Sequence, residues 1–544
     1  MMKKLAIPLV VLLVCVFVIT GCNTGSPTTA PPASSSAPPT VSKQLPPITT
    51  PSPAASPTAA TPKYGGTFSY VTAAGPGGPF GVTWLASGGS TFCMQFAMNT
   101  LLREMADGSL TPFLAESYDV VTDAANPSVT LKLRKGVKFQ DGTDFNATAV
   151  KWNLQQEMLP TSTSIRSTSN WKSVESLDDY TVRVNLKVWQ NTAVNAFANS
   201  MSFMMSPTAY QNKGEDWNKI NMVGTGAFVQ TDYQKDVSMT LVKSNNYWEP
   251  GKPYLDKIQY LFVSDASTAE MFFRTGGGNV IQCYTDKMAD NLKKAGFKIL
   301  SYPGFSYPMY PDSMNADSPW SNLKFRMAVE YAINKQSIAD TFGYGTWIVA
   351  NQQYPPNSAA YDPNITPRKY DPAKAKQLLT EAGFANGVKT NLFVSPMGDN
   401  KNIALAIQSD LAAVGITAEV QTPQVAAYSA MLTGTWKNGA IVGPGALAAN
   451  PIVGWVNYAK GSAWWQSMKR PDNFDDLYNA ALAAPKLDPV LSRKCEDAIF
   501  NDATIIPLFI TPTTWAVTDN VQDSGLGTRG LFSWFESQNT WLTK

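Results

Sequence analysis

The side chains in this sequence best suited to hold another molecule are aromatic. Trp436, Trp455, Tyr458, Trp464, Trp465, Trp515 and Trp534 crowd the C-terminal part of the chain. Rings of this size stack on sugar rings or flat apolar ligands at little entropic cost, and their other common use is to fill a core. The groups that carry covalent or metal chemistry are scarce by comparison. There is no histidine, which removes the usual general base, the usual zinc ligand and any Ser-His-Asp or Cys-His arrangement. Cys93, Cys283 and Cys495 are widely separated and show no CxxC spacing, so they read as buried small hydrophobes and not as a disulfide framework or a metal site. Val223-Gly224-Thr225-Gly226 is not a phosphate loop, because no Gly-Lys-Ser/Thr follows it. No catalytic residue, no metal site and no cofactor is expected. A secreted hydrolase using Ser and Lys is the enzyme alternative, but no S-x-x-K stands in a convincing context.

The elements that would position these rings are legible from periodicity. Val129, Leu131 and Leu133 alternate with Thr130, Lys132 and Arg134, the pattern of a half-buried strand. Val137 and Phe139 resume the alternation after Lys135-Gly136, and Asp141-Gly142 suits a tight reversal. Asn146 is placed to cap a helix carrying Val150 and Leu154, although Ala149 at the third helical position rules out a capping box. Thr181–Leu186 reads as a further strand and Ser267–Arg274 as a helix. The run Phe325–Ala339 has helical amphipathicity. A strand at 391–394, a helix at 403–413 and a strand at 416–420 form a β-α-β unit, hence a parallel pair.

At 544 residues the chain is too long for one core. With 44% hydrophobic and 15% charged residues and a net charge of +2, it is an ordinary globular composition with no electrostatic footprint for nucleic acid. Lys3-Lys4 followed by the apolar run Leu5–Ile19 reads as a secretion signal. Asn23–Pro62 is dominated by Pro, Ser, Thr and Ala and lacks the apolar surface to offset its ordering entropy. It reads as a tether, whose roughly 40 residues at about 3.1 Å each would reach on the order of 120 Å as polyproline helix. A Ser/Thr/Pro stalk of this kind is also a candidate for O-glycosylation.

Several stretches resemble a known family. Ile19-Thr20-Gly21-Cys22 is similar to a bacterial lipobox, which implies lipidation of Cys22 as the mature N-terminus. With Ile at its first position, an uncleaved membrane anchor is the alternative. Pro112, Leu114-Ala115-Glu116-Ser117, then Leu133 to Phe139, Asp141-Gly142-Thr143, Ala147 and Val150 match, at fixed spacings, the signature of the family 5 solute-binding proteins of ABC importers, which includes dipeptide, oligopeptide and nickel binders. The resemblance continues through Tyr64–Phe68, Val223–Phe228, Asn246-Tyr247-Trp248, Gly251–Ile258, Arg326 to Ile338, Asp371–Gly383 and the apolar segment Ile505–Val517.

What the resemblance implies is an α/β, two-lobed, periplasmic-binding-protein-like fold of class II, the large peptide-binder type, with an extra subdomain in the first lobe. The expected parts are a lipoprotein signal at 1–21, a tether at 22–62, first-lobe segments at 63–97 and 220–318, and the extra subdomain at 98–219. The second lobe is expected at 319–512, with a return to the first lobe at 513–544. The protein would be a monomer held outside the membrane by lipid on Cys22. It would capture a solute such as an oligopeptide, a sugar or another organic compound and hand it to ABC permease subunits. A surface sensory or adhesion lipoprotein of the same fold is the alternative, which neighbouring permease and ATPase genes would separate. Direct nickel or haem coordination is disfavoured without imidazole.

The resemblance also points to a site. Peptide-binding relatives carry W-x-A-D-Y-x-x-P, whose aspartate pairs with the peptide's free amine. Gly445-Ala446 and Pro451 align with it and put Leu447 in place of the aspartate and Asn450 beside the proline. Trp436 and Trp455 flank this segment, and Trp515 lies in the crossing segment. The expected ligand-binding residues are therefore Trp436, Gly445, Ala446, Leu447, Asn450, Trp455 and Trp515. A buried ammonium needs an opposite charge, which leucine cannot supply, so a solute other than a free peptide is expected.

Overall fold

Two long strands tie the molecule together. Lys298–Pro311 and Ile506–Val517 run antiparallel, with Lys298 opposite Val517 and Met309 opposite Ile506. The computed structural model describes residues 61–86, 88–105, 107–528 and 535–543. The expected signal, nearly all of the expected tether, Cys22 and Trp534 lie outside them. Among the described residues the two long strands are the middle of a twelve-stranded sheet. At about 3.3 Å per residue, Lys298–Pro311 reaches roughly 45 Å, far enough to serve two lobes. Pro303 stands opposite Pro512 and Pro308 opposite Pro507, with register shifts beside both pairs. Proline has no N–H for a ladder, so these crossing strands lose donors where they pass between the lobes.

On one side of the crossing, the sheet continues through Val280–Gln282, Thr67–Thr72, Lys257–Phe262, Ser238–Lys243 and Phe228–Gln234. Phe68 and Tyr70, Ile258 and Tyr260, Met239 and Leu241 recur every second residue, and all face the first-lobe core with Trp515. A separate four-stranded antiparallel sheet joins this lobe, in the order Ala115–Val121, Ser128–Leu133, Thr181–Leu186, Trp171–Asp178. Val129, Leu131 and Leu133 are its buried face, packed on Val150 and Leu154 of the helix Ala147–Glu157. The Asn146 side chain accepts from Ala149 N at 3.0 Å, and Gly142 takes the positive φ of 85° that the turn requires.

On the other side the sheet runs Gly439–Val442, Val388–Val394, Ile416–Gln421, and both of these pairings are parallel. The helix Asn400–Ala412 makes the crossover. The run Phe325–Ala339, expected as one helix, is two: Leu323–Ala332 and Lys335–Gly343. Asn334 interrupts it because its side chain accepts from Ser337 N at 3.1 Å, while its own N–H goes to Asp410 at 2.9 Å. A new N-cap replaces helix continuation. Beside the break lies a buried ion cluster. Glu330 pairs with Lys335 at 3.0 Å and with Arg368 at 2.9 Å, and Lys335 also donates to the Ala350 carbonyl. Burial holds the Lys335 ammonium below its usual pKa range, against the pull of Glu330.

Candidate functional site: the seam between the lobes

The short strand Gly445–Ala446 lies on the first crossing strand, with Gly445 opposite Ser306 and Ala446 opposite Phe305. Leu447 N extends the contact to the Gly304 carbonyl at 3.1 Å. Glycine is needed at 445 because a Cβ there would strike the Tyr310 hydroxyl. Ala446 is exposed. Leu447 is buried and packs in a cluster with Tyr310, Trp436, Trp455, Tyr458 and Trp465. Within it Tyr310 stacks on Trp465 with centroids 4.2 Å apart.

The expected residues divide between this cluster, the seam and the opposite lobe. Trp455 is fully buried and donates its indole N–H to Gln353 Oε1 at 3.2 Å. Trp436 is clamped through its backbone by Ser467, whose hydroxyl accepts from Trp436 N at 2.8 Å and donates to Trp436 O at 2.6 Å. Its indole N–H is buried without a hydrogen-bond partner among the described residues. Trp515 belongs to the first-lobe core instead, and donates to the Tyr70 hydroxyl at 2.7 Å. Glu496, next to Cys495 of this cluster, is fully buried. It accepts from Gln353 N at 2.6 Å, and burial pushes its pKa up to about 8, so at neutral pH it is largely uncharged.

Asn450 sits at the seam itself. Its side chain caps the helix Pro451–Trp455 by accepting from Ile452 N at 3.0 Å, and donates to Asn195 Oδ1 at 3.0 Å on the four-stranded subdomain of the first lobe. Asn195 Nδ2 in turn donates to Glu104 Oε1 at 2.9 Å. Two more side chains of the subdomain reach across to the second lobe. Trp189 Nε1 donates to the Ala484 carbonyl at 3.0 Å, and Asn191 Nδ2 to the Ala481 carbonyl at 2.6 Å. Sequence reasoning missed Glu104, Trp189, Asn191 and Asn195. The partners lie from 91 to 295 residues away in the chain, and no local pattern marks the pairing.

Two surface concavities lie elsewhere. One, of about 670 Å³, is bordered by Asn315, Phe384 and Lys437, and the other, of about 580 Å³, by Arg134, Trp248 and Lys252. Among the described residues no cluster of three acidic, cysteine or histidine side chains could hold a metal ion. Burial pushes the thiols of Cys93, Cys283 and Cys495 up, away from the reactive thiolate.

The model of the bacterial extracellular solute-binding proteins, family 5, matches residues 109–451. The chain belongs to that family. Among similar curated proteins are the glutathione-binding protein GsiB of Shigella flexneri and that of Escherichia coli K12. Each is 31% identical over 430 residues, covering 75% of this chain and 82% of the relative. The fold is that of solved two-lobed binding proteins. Helicobacter pylori DppA in complex with the peptide STSA superposes with a TM-score of 0.72 at 23% identity, covering 89% of this chain and 99% of that one. HbpA2 of Haemophilus parasuis gives 0.77 at 20% identity, covering 88% and 100%. NikA of Brucella suis with Fe(III)-EDTA gives 0.74 at 20% identity, covering 86% and 99%. This family 5 member is thus a solute-binding protein of an ABC importer and not an enzyme. Family 5 binding proteins work outside the cytoplasm, and among the described residues no helix is long and apolar enough to cross a membrane.

Proposed function

We propose that this family 5 protein is tethered to the membrane by lipid on Cys22 and closes its two lobes on a small solute, which it delivers to an ABC permease without chemical change. The domain limits we assign are those of the sequence reading, with the second lobe at 319–512 and the return from 513. In this reading the solute lies at the seam, against Gly445, Ala446, Leu447 and Asn450. Trp436 and Trp455 form the wall behind it and Trp515 the wall of the opposite lobe. The paired prolines of the crossing strands support hinge movement there, and differential affinity for the closed state drives it.

The solute we infer is not a free α-peptide held by its amine. The observation that carries this is the apolar cluster around Leu447, the position aligned with the relatives' aspartate, beside which Glu496 is largely protonated. A peptide ammonium buried against Leu447, where the relatives' aspartate would stand, would lose several kcal/mol of hydration without return. Glutathione, named for the GsiB relatives, is a γ-linked peptide and belongs in the test. Isothermal titration is expected to show no micromolar binding of mixed di- to pentapeptides, and native mass spectrometry to reveal a co-purified non-peptide solute. Tight binding of α-peptides would refute the inference. Mass spectrometry of the membrane fraction, with Cys22→Ser as control, tests the anchor.

A further inference from the structure

Glu104 is a charge at the seam that its neighbours leave unanswered. It ends the strand Leu102–Glu104, where side-chain alternation sends Arg103 to the opposite face. There the Arg103 guanidinium lies 3.6 Å over the Phe113 ring and 3.6 Å from Glu536. Among the described residues no cation stands within ion-pair distance of Glu104, and its hydrogen bond comes from Asn195. A carboxylate offers about four acceptor sites.

The elements packed around it supply no countercharge. The facing strand Leu110–Pro112, the 3-10 helix Asn191–Ala198 and the second-lobe helix Pro451–Trp455 contain no ionisable side chain. Asp107, on the adjoining loop, is tied to the Ser109 hydroxyl at 2.6 Å. Lys486, on the facing edge of the second lobe, is exposed. The Asn450–Asn195 bond needs only the two amides, so holding the lobes together does not require an acid behind it. What the acid adds is negative charge two hydrogen bonds from Asn450, which follows Leu447 by three residues.

We propose that Glu104 is the specificity-determining anion of the solute site, and that it receives the ammonium or guanidinium group of a cationic, non-peptide solute enclosed at the Asn195–Asn450 seam. The inference rests on the solute-binding reading above. Burial pushes the Glu104 pKa up to about 7, with the Asn195 hydrogen bond pulling the other way, so near neutrality the acid is only partly ionised. A cation brought against it displaces the remaining proton, and binding is therefore coupled to proton release.

The test is equilibrium dialysis of the full chain at pH 7 against an equimolar mixture of putrescine, agmatine, choline, succinate and ribose, with retained compounds read by mass spectrometry. The wild-type protein is expected to retain at least one of the three cations. Glu104→Gln should weaken that retention at least about thirtyfold, a charge-deletion effect of about 2 kcal/mol, whereas Asp107→Asn should leave it unchanged. Titration in two buffers of different ionisation heat should show proton release in the wild type and in Glu104→Asp, and none in Glu104→Gln. Equal retention by wild type and Glu104→Gln, or retention of succinate or ribose alone, overturns the proposal. So does retention of none of the five. A neutral solute found co-purified by native mass spectrometry in that case leaves the solute-binding reading standing, while no solute in either assay ends both.

Discussion

Trp515, on the second crossing strand, donates its indole N–H to the hydroxyl of Tyr70 at 2.7 Å, and both side chains are buried. Tyr70 lies on the strand Thr67–Thr72 in the middle of the first-lobe sheet, so this one bond ties the start of the folded chain to its return from the second lobe. Tyr70→Phe removes the acceptor and strands a buried N–H, which costs about 1–3 kcal/mol. Urea unfolding followed by first-lobe fluorescence should show that loss, and Trp515→Phe combined with Tyr70→Phe should cost less than the sum of the single changes.

Glu496 gives the chain a stability that falls as pH rises. Its ordinary value is 4.5 and its folded value about 8. Below about 4.5 the acid is protonated in both folded and unfolded states and carries no penalty. Between those values the unfolded chain ionises while the folded one stays protonated, so unfolding releases a proton and stability drops until about pH 8. The total is on the order of 5 kcal/mol. Glu496→Gln keeps an acceptor for Gln353 N and should remove that slope, making the variant more stable than the wild type at pH 9. The shallower slope from Glu157, whose burial raises it to about 7, should persist in both.

Removing the central acid of the second-lobe ion cluster should be severe. Glu330 answers both Lys335 and Arg368, and all three are buried. Glu330→Ala leaves two buried cations facing each other, at a cost of about 3–5 kcal/mol. Asp502 pairs with Arg326 at 3.5 Å from a partly exposed position, while Arg326 keeps its bonds to the Trp320, Asp502 and Ala503 carbonyls. Asp502→Ala should therefore cost only about 1 kcal/mol. Thermal unfolding of both variants ranks the two sites directly.

These relationships differ in how far they were legible in the sequence. The buried face of Val129, Leu131 and Leu133 and the Asn146 cap follow from period and residue type, which act within a few positions. The break at Asn334 was not readable, because it depends on Asp410 accepting its N–H from another helix. The seam is more remote still, since Asn195 and Asn450 are 255 residues apart. The tryptophans show a different limit. Composition marks Trp436, Trp455 and Trp515 as suited to ligands, but whether a ring faces a solute or fills a wall depends on tertiary packing that no spacing encodes.

The substitution at 447 tests why peptides are not expected to bind. If the missing anion is the reason, restoring it should restore affinity, but a carboxylate among Tyr310, Trp436 and Trp465 also costs stability. A polar side chain of the same size separates the two effects. Leu447→Asn places an amide in the cluster and should lower stability by about 1–3 kcal/mol. Leu447→Asp adds a charge to the same shape and should be less stable still at pH 7, recovering as the pH falls and the acid protonates. In titrations with Ala-Ala-Ala, Leu447→Asp should bind at least about tenfold tighter than Leu447→Asn, the equivalent of about 1.4 kcal/mol for a partly screened ion pair. The advantage should vanish for the N-acetylated peptide, which has no ammonium. Equal affinities of the two variants for the free peptide would place residue 447 away from the bound amine and leave the absence of an anchor without its structural explanation.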